Sequence, residues 1–186
     1  GVDTLAPAQG VFAFAVAERD SGTLTLARDR FGIKPLYLAQ VPGGLRFGSS
    51  LPALLAGGGL DTSIDPVALH HYLSWHAVVP PPHTMLAGVR KLEPATVASW
   101  TADGRYEATR YWDLRVKTDP ALAALPAAER ERLVEDALRV AVRRRMVADV
   151  PVGVLLSGGV DSSLIVALLA EAGQHALSNR LPSQVR

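Results

Sequence analysis

The chain has 186 residues, of which 48% are hydrophobic and 20% charged, with a formal net charge of +1 and no cysteine. This apolar content supports a packed core and excludes an intrinsically disordered chain, which is poor in apolar residues and strongly charged. The small net charge gives no field that would attract nucleic acid or anionic lipid, and no apolar run approaches the roughly 18 to 20 residues that cross a bilayer. Without cysteine, these residues contain no disulfide, cysteine-ligated zinc site or thiol nucleophile.

Short strands are predicted in the first third of the chain. The apolar residues 11–17 are typical of a strand that is buried on both faces, and residues 23–26 alternate as a half-buried strand does. Further strands are predicted over residues 36–39 and 45–47, which a Pro-Gly-Gly hairpin loop joins. The pattern therefore predicts three or four consecutive antiparallel strands within residues 11–48.

Helix signals follow these strands. One of the two serines before residue 51 can cap a short helix over residues 51–55. Asp65 and the proline after it predict the start of a second helix over residues 67–75. Residues 96–100 and 105–112 are predicted to form a last hairpin around an Asp-Gly turn.

The composition changes after residue 114, where a stretch rich in proline, alanine and charged residues indicates a linker. We therefore predict a first domain over residues 1–115, a linker over 116–126 and a second domain over 127–186. Gly1 is not an initiator methionine and a strongly apolar run follows it closely, so the sequence is expected to be an internal piece of a larger protein.

The second domain begins with a strong helical pattern. Apolar residues recur on one stripe over residues 127–148, with acidic residues early and basic residues late, as the helix dipole favours. The apolar residues 150–156 are predicted to form a buried strand, and residues 164–172 a helix. Helix, strand, loop and helix in this order are typical of the start of a parallel α/β sheet.

The loop after the predicted strand carries the most specific chemistry in the chain. From Val152 the sequence is Val-Gly-Val-Leu-Leu-Ser-Gly-Gly-Val-Asp-Ser-Ser. Glycines let a ligand approach the backbone closely, and the N–H groups of such a turn bind anions together with a helix N-terminus. The segment lacks the lysine of the G-x-x-x-x-G-K-[ST] phosphate loop, because the lysines of the chain are Lys34, Lys91 and Lys117.

A lysine-free Ser-Gly-Gly-x-Asp-Ser loop at the end of a strand resembles the pyrophosphate loop of the N-type ATP pyrophosphatases. In that family the loop holds the β and γ phosphates as a leaving group while a nucleophile attacks the α phosphate. The resemblance implies ATP and Mg²⁺ as cofactors, with Asp161 as the carboxylate that meets the metal directly or through water. The alternative is a strand–turn–helix junction in which serine and glycine only form the turn.

Three segments together resemble the glutamine-hydrolysing asparagine synthetase family. Residues 10–15 and 27–37 are similar to the second half of its class II glutaminase domain, and residues 149–159 to the start of its ATP-pyrophosphatase domain. The implied fold class is α/β plus α+β: the C-terminal part of an N-terminal-nucleophile glutaminase domain with antiparallel sheets, then the start of a parallel α/β domain. The implied reaction forms an acyl-adenylate with release of pyrophosphate, and ammonia from glutamine then displaces AMP.

The resemblance also implies a set of site residues. The ATP and pyrophosphate site is assigned to Leu155, Ser157, Gly158, Gly159, Asp161, Ser162 and Ser163. The glutaminase nucleophile of the family is an N-terminal cysteine, so no catalytic residue is expected in this cysteine-free sequence, which by itself is predicted to be inactive. Residues 175–186 depart from the family pattern, which leaves native sequence and a truncated or frameshifted product as alternatives.

The acceptor and two other interpretations stay open. The sequence of residues 49–50 and 70–80 is closer to the branch of the family that amidates N-acetylglutaminylglutamine than to the usual asparagine synthetase sequence. A β-lactam-synthetase-like or other pyrophosphatase-loop enzyme and a non-catalytic truncated product are the alternatives. We expect a cytoplasmic C–N ligase of amino-acid biosynthesis that binds ATP, glutamine and an acceptor carboxylate, without nucleic acid or membrane as a partner. A homodimeric parent is left open.

Two other polar clusters are assigned structural roles. His70, His71, His76 and His83 raise the hypothesis of a metal site, but adjacent helical histidines point about 100° apart, which favours a surface or packing role. The charged residues 28–30 are expected to form a salt-bridged turn that shapes the first domain.

Overall fold

The computed structural model describes residue 5 and residues 7–178, and for residues 174–178 it describes the backbone alone. The chain divides into two compact units, Gly1–Arg115 and Val116–Arg186. None of the described helices is long and apolar enough to cross a membrane.

The described strands of the first unit form two antiparallel sheets, as predicted. The strands are β1 (Ala13–Ala17), β2 (Leu24–Arg28), β3 (Tyr37–Val41), β4 (Gly44–Gly48), β5 (Arg90–Lys91), β6 (Thr96–Trp100) and β7 (Tyr106–Arg110). One sheet has the order β1-β2-β6-β7 and the other has the order β4-β3-β5. In the first sheet Leu26 lies opposite Ala98, and in the second Ala39 lies opposite Arg46.

The first strand differs from its prediction. β1 begins at Ala13, and four of its five residues are exposed, whereas residues 11–17 were predicted to be buried on both faces. β1 is an edge strand that pairs with β2 alone among the described strands, and Phe14 and Val16 stay exposed. The strands within residues 11–48 are also not one meander, because β1 and β2 join one sheet whereas β3 and β4 join the other.

A buried apolar cluster connects the two sheets. Leu26 of β2 and Ala98 of β6 contribute from one sheet, while Leu36 before β3 and Leu92 after β5 contribute from the other. These residues are remote in sequence, so the cluster fixes how the two sheets pack. A second buried cluster lies around the first helix and consists of Ala39, Leu54 and Val89.

Two helices of the first unit begin at the predicted caps. α1 (Leu51–Leu55) follows Ser50, whose hydroxyl accepts a first-turn N–H at 3.4 Å. α2 (Pro66–Ser74) follows Asp65, whose carboxylate accepts a first-turn N–H at 2.8 Å. Each side chain satisfies a backbone donor that has no partner within its helix. The structure confirms both caps.

A buried carboxylate organises the turn after β2. Asp29 is 1% exposed, and its side chain accepts the N–H groups of Phe31, Ile33 and Lys34 at 3.1, 3.0 and 2.9 Å. Burial acts to raise the pKa of this carboxyl, but the backbone donors outweigh it and hold the pKa below its ordinary value. The ionised carboxylate is therefore the form that the folded turn stabilises.

Arg28 precedes Asp29 in the sequence, and its side chain bonds to backbone carbonyl oxygens instead of backbone N–H groups. Its guanidinium donates to the carbonyl oxygens of Gly32, Lys34 and Leu92 at 2.6, 2.8 and 2.5 Å. Gly32 has a φ of +63°, and a Cβ there would lie 3.0 Å from Arg28 Cζ, so glycine is required for this close approach. The salt-bridged turn predicted for residues 28–30 is therefore corrected for Arg28 and Asp29, whose side chains bond to the backbone.

The described part of the second unit is helical. It contains α3 (Pro120–Ala124), α4 (Ala127–Arg145) and α5 (Val160–Ser178). α4 and α5 pack against each other, and each buries an apolar side chain, Val142 in α4 and Leu168 in α5. The amphipathic stripe predicted for the first of these helices is thus partly used in helix packing.

Three predictions for this unit need correction. α3 lies inside the predicted linker of residues 116–126, because Asp119 caps it and Pro120 occupies its first position. α5 begins at residue 160, before the predicted start at residue 164. Residues 150–156 form no strand, because a strand needs a hydrogen-bonded neighbour and the described part of this unit provides none. Residues 179–186, part of the segment predicted to be off-pattern, lie outside the described residues.

The first prediction concerns the buried carboxylate. We expect Asp29→Asn to lower the free energy of unfolding by about 2 kcal/mol, because the amide keeps an acceptor but loses the charge that strengthens these bonds. In the wild type, the stabilisation that the ionised Asp29 carboxylate gives to the folded state is fully present above pH 3.8, the ordinary pKa of the group. This stabilisation is lost as the pH falls through the lower folded-state pKa. Urea denaturation at a series of pH values measures both effects.

Asp20→Asn is the matched control, because Asp20 is an exposed aspartate in a turn of the same unit. Equal stability of the two variants at pH 7 would show that the carboxylate of Asp29 does not hold the turn.

The second prediction concerns the polar contact between α4 and α5. Arg139 donates to Glu135 and Asp136 of its own helix and to Glu171 of α5, at 2.5, 3.2 and 3.1 Å. We expect Arg139→Gln to lower the melting temperature of the second unit at low ionic strength. The difference in melting temperature between the wild type and this variant should become smaller in 1 M NaCl, because salt screens exposed charges. Arg144→Gln, an exposed position on the same helix, is the control, and a salt-independent difference would contradict the electrostatic explanation.

Candidate nucleotide site

The Ser/Gly segment leads directly into α5. Residues 151–157 have no regular secondary structure, and α5 begins at Val160. Gly158 has a φ of +83°, and a Cβ at this position would meet no atom within 4 Å. The chain therefore reaches the helix N-terminus through a turn that favours glycine, and the space beside this turn is open.

The serine hydroxyls of the segment bond to one another and to the backbone. Ser157 Oγ lies 2.9 Å from Ser162 Oγ and accepts the N–H of Gly159 at 3.5 Å. Ser162 Oγ and Ser163 Oγ both donate to the Gly159 carbonyl oxygen, at 3.0 and 2.8 Å. The N–H of Ser163 donates to the same oxygen at 3.1 Å. The structure thus brings together Ser157, Gly159, Ser162 and Ser163 of the predicted site.

Leu155 precedes this bonded group, and Asp161 lies within the same segment. Leu155 is 95% exposed, and Asp161 is exposed in the first turn of α5, where the helix dipole favours a carboxylate. Within the described ranges, no group of three or more His, Cys, Asp or Glu residues is placed to hold a metal ion. A divalent cation at Asp161 would therefore take its other ligands from phosphate oxygens and water, as Mg²⁺ commonly does.

The histidines of the first unit lie near α2. His83 Nδ1 is 3.0 Å from Asp65 Oδ2, so it contacts the carboxylate that caps this helix. The hydrogen bond from His83 holds the pKa of Asp65 below its ordinary value. The ring of His71 stacks near Trp75 with centroids 4.7 Å apart. The His83–Asp65 contact connects the helix cap to the loop that carries His83.

The first unit also contains a cleft that sequence reasoning missed. Its volume is about 600 Å³, and its lining includes Leu38, Leu45, Arg90, Lys91, Trp100 and Tyr106. Lys91 Nζ donates to the carbonyl of Val79 at 2.6 Å, and burial, followed by the charge of Arg28, lowers the pKa of its ammonium. The lining comes from strands of both sheets that are distant in sequence, so no local pattern indicates the cleft.

Comparison with known families assigns both units. Residues 1–112 match the family described as a glutamine amidotransferase domain, and residues 133–183 match the family described as asparagine synthase. The chain belongs to the glutamine amidotransferase domain family. The order of the two matches is that of the glutamine-hydrolysing asparagine synthetases, so the resemblance seen in the sequence is confirmed.

Individual relatives agree with these matches. The chain is 36% identical over 166 residues to a glutamine-hydrolysing asparagine synthetase of Bacillus subtilis, with 88% of this chain and 25% of the relative covered. It is 39% identical over 172 residues to a Mycobacterium tuberculosis protein provisionally named a glutamine-hydrolysing asparagine synthetase, with 90% and 26% covered. The chain thus spans about a quarter of the length of these relatives.

A solved structure of Bacillus subtilis glutamine phosphoribosylpyrophosphate amidotransferase also matches. Its TM-score is 0.38 at 11% identity, and the match covers 91% of this chain and 33% of that one.

The third prediction concerns Gly158. A non-glycine residue in the left-handed region is disfavoured by about 1 to 2 kcal/mol, so Gly158→Ala should destabilise this loop conformation about 5- to 30-fold. We expect hydrogen exchange of the Ser163 amide, which donates to the Gly159 carbonyl, to accelerate by that factor.

Gly153→Ala is the matched control, because Gly153 lies in the same segment with no left-handed φ and open space around it. Equal exchange rates in the two variants would show that the conformation of Gly158 does not hold the loop.

Proposed function

We propose that this chain is part of an ATP- and glutamine-dependent amidotransferase of the asparagine synthetase type. The enzyme adenylates an acceptor carboxylate and amidates it with ammonia from glutamine, releasing AMP and pyrophosphate. The observation that carries the proposal is the lysine-free Ser-Gly-Gly-Val-Asp-Ser segment at the N-terminus of α5, inside the asparagine synthase match. The glutamine amidotransferase match over residues 1–112 supports glutamine as the source of ammonia.

The segment offers hydrogen-bond donors that suit a pyrophosphate group. The backbone N–H groups at Gly158 and Gly159, the serine hydroxyls and the positive end of the α5 dipole all favour an anion. A lysine is suited to transfer of the terminal phosphoryl group, whereas attack at the α phosphate requires the β and γ phosphates to leave together. The donors around Gly158 would stabilise the charge of that leaving group. Leu155 is proposed to contact the adenosine part of the nucleotide.

Asp161 is the proposed carboxylate for the metal. It is exposed in the first turn of α5, next to the donors proposed for the phosphates. When bound, Mg²⁺ would neutralise charge on the phosphate oxygens that it shares with Asp161. The role of Asp161 itself is to hold one side of that cation in a fixed position relative to the loop.

The first unit is proposed to be part of the glutaminase domain. The 186 residues contain no cysteine, so they supply scaffold and cannot supply a thiol nucleophile. The acceptor is proposed to be a carboxylate of aspartate or of N-acetylglutaminylglutamine. We place the enzyme in the cytoplasm, because ATP and glutamine are available there.

The fourth prediction is the nucleotide product. The longest chain that the gene encodes should convert ATP to equal amounts of AMP and pyrophosphate when glutamine and its acceptor are present. Phosphorus NMR of the reaction mixture distinguishes these products from ADP and phosphate. Formation of ADP would contradict the proposal, and AMP formation without glutamine hydrolysis would favour another pyrophosphatase-loop enzyme.

The same assay tests the metal carboxylate. We expect Asp161→Asn to reduce AMP formation at least about 100-fold, because the transition state loses electrostatic stabilisation, while glutamine hydrolysis continues. Glu131→Gln, at an exposed position of α4 in the same unit and outside the Ser/Gly segment, is the control and should retain AMP formation. Normal AMP formation by the Asp161 variant would remove Asp161 from the mechanism.

A further inference from the structure

The hydroxyl bonds before α5 form a closed circuit. Ser162 Oγ donates its single hydrogen to the Gly159 carbonyl, so it accepts in its 2.9 Å contact with Ser157 Oγ. Ser157 Oγ therefore donates to Ser162 and accepts the N–H of Gly159 at 3.5 Å. The circuit starts and ends at residue 159. Its three donors are the Gly159 N–H and the hydroxyls of Ser157 and Ser162, and each directs its hydrogen at another atom of the loop.

This circuit occupies the donors that an anion needs. A phosphate oxygen only accepts hydrogen bonds, so it cannot bind these hydroxyls while their hydrogens point at other atoms of the loop. We propose that the Ser157–Ser162 hydroxyl pair is a latch that the nucleotide phosphates open. On binding, each of the two hydroxyls exchanges its partner in the loop for a phosphate oxygen. The inference rests on the proposed function, which assigns the phosphates to this segment.

Ser163 lowers the free-energy cost of opening the latch. The Gly159 carbonyl accepts from Ser162 Oγ, and it also accepts from Ser163 Oγ at 2.8 Å and from the Ser163 N–H at 3.1 Å. When the Ser162 hydroxyl turns away, the two bonds from Ser163 remain, so the carbonyl is not left unsatisfied. Ser163 is therefore a positioning residue that holds the Gly159 peptide while its neighbours change partners.

The latch has a thermodynamic signature that two hydroxyls binding phosphate independently of each other would not show. Removing either hydroxyl loses a phosphate contact, but the first removal also breaks the latch of the free protein, which offsets part of the loss. The second removal has no such offset. Ser157→Ala combined with Ser162→Ala should therefore weaken pyrophosphate binding about 3- to 10-fold more than the product of the two single effects.

Isothermal titration calorimetry with inorganic pyrophosphate and Mg²⁺ measures the four affinities of this cycle, with circular dichroism as a check of folding. Ser74→Ala is the control, because Ser74 is an exposed serine at the end of α2 in the first unit. It should bind pyrophosphate like the wild type.

The possible results separate the latch from the proposed function. The latch is overturned if the double variant loses affinity by a factor equal to the product of the two single losses. It is also overturned if the loss of the double variant is no larger than that of one single variant. Unchanged affinity in both single variants and in the double variant overturns the assignment of pyrophosphate to this segment, and with it the latch.

A second measurement needs no variant. In a crystal structure of the wild-type protein with pyrophosphate at this segment, the Ser157 Oγ–Ser162 Oγ separation should exceed about 3.5 Å, the limit of a hydrogen bond. Retention of the 2.9 Å contact with pyrophosphate bound would overturn the latch while leaving the proposed function intact.

Discussion

The first unit depends on two charged side chains at the end of β2 that bond to backbone groups. Asp29 accepts the N–H groups of the following turn, and Arg28 donates to the carbonyls of that turn and to Leu92 beyond β5. Buried charges are costly unless their hydrogen-bonding capacity is used, and here the main chain uses it. Tyr111, which follows β7, donates to the Arg28 carbonyl at 2.9 Å. One turn thereby ties together both sheets and the last strand of the unit.

Features that arise within a few residues were predictable from the sequence. The caps at Ser50 and Asp65 are correct because a side-chain oxygen needs only the next turn of backbone as its partner. The burial of β1 and the strand over residues 150–156 were wrong because both depend on neighbouring elements that are distant in sequence. Apolar composition indicates that a segment can be buried, but the described neighbours decide whether it is.

The candidate site also has features that the sequence predicts and features that it does not. The glycine at position 158 was identified from sequence, and its left-handed φ agrees with the tight turn expected there. The partners of Ser157, Ser162 and Ser163 were not predictable, because a hydroxyl direction follows from side-chain rotamers and from where the helix begins. The cleft lined by Lys91 was missed for a related reason, since strands from both sheets build it.

The edge strand β1 offers backbone groups with which another copy of this chain can pair. Its exposed Phe14 and Val16 accompany a row of backbone groups that β2 does not pair, and β1 has no second neighbour among the described strands. Two copies can align such edges antiparallel about a twofold axis and extend the sheet from one molecule to the next. A charge at the exposed position 16, as in Val16→Lys, would disfavour such edge-to-edge pairing.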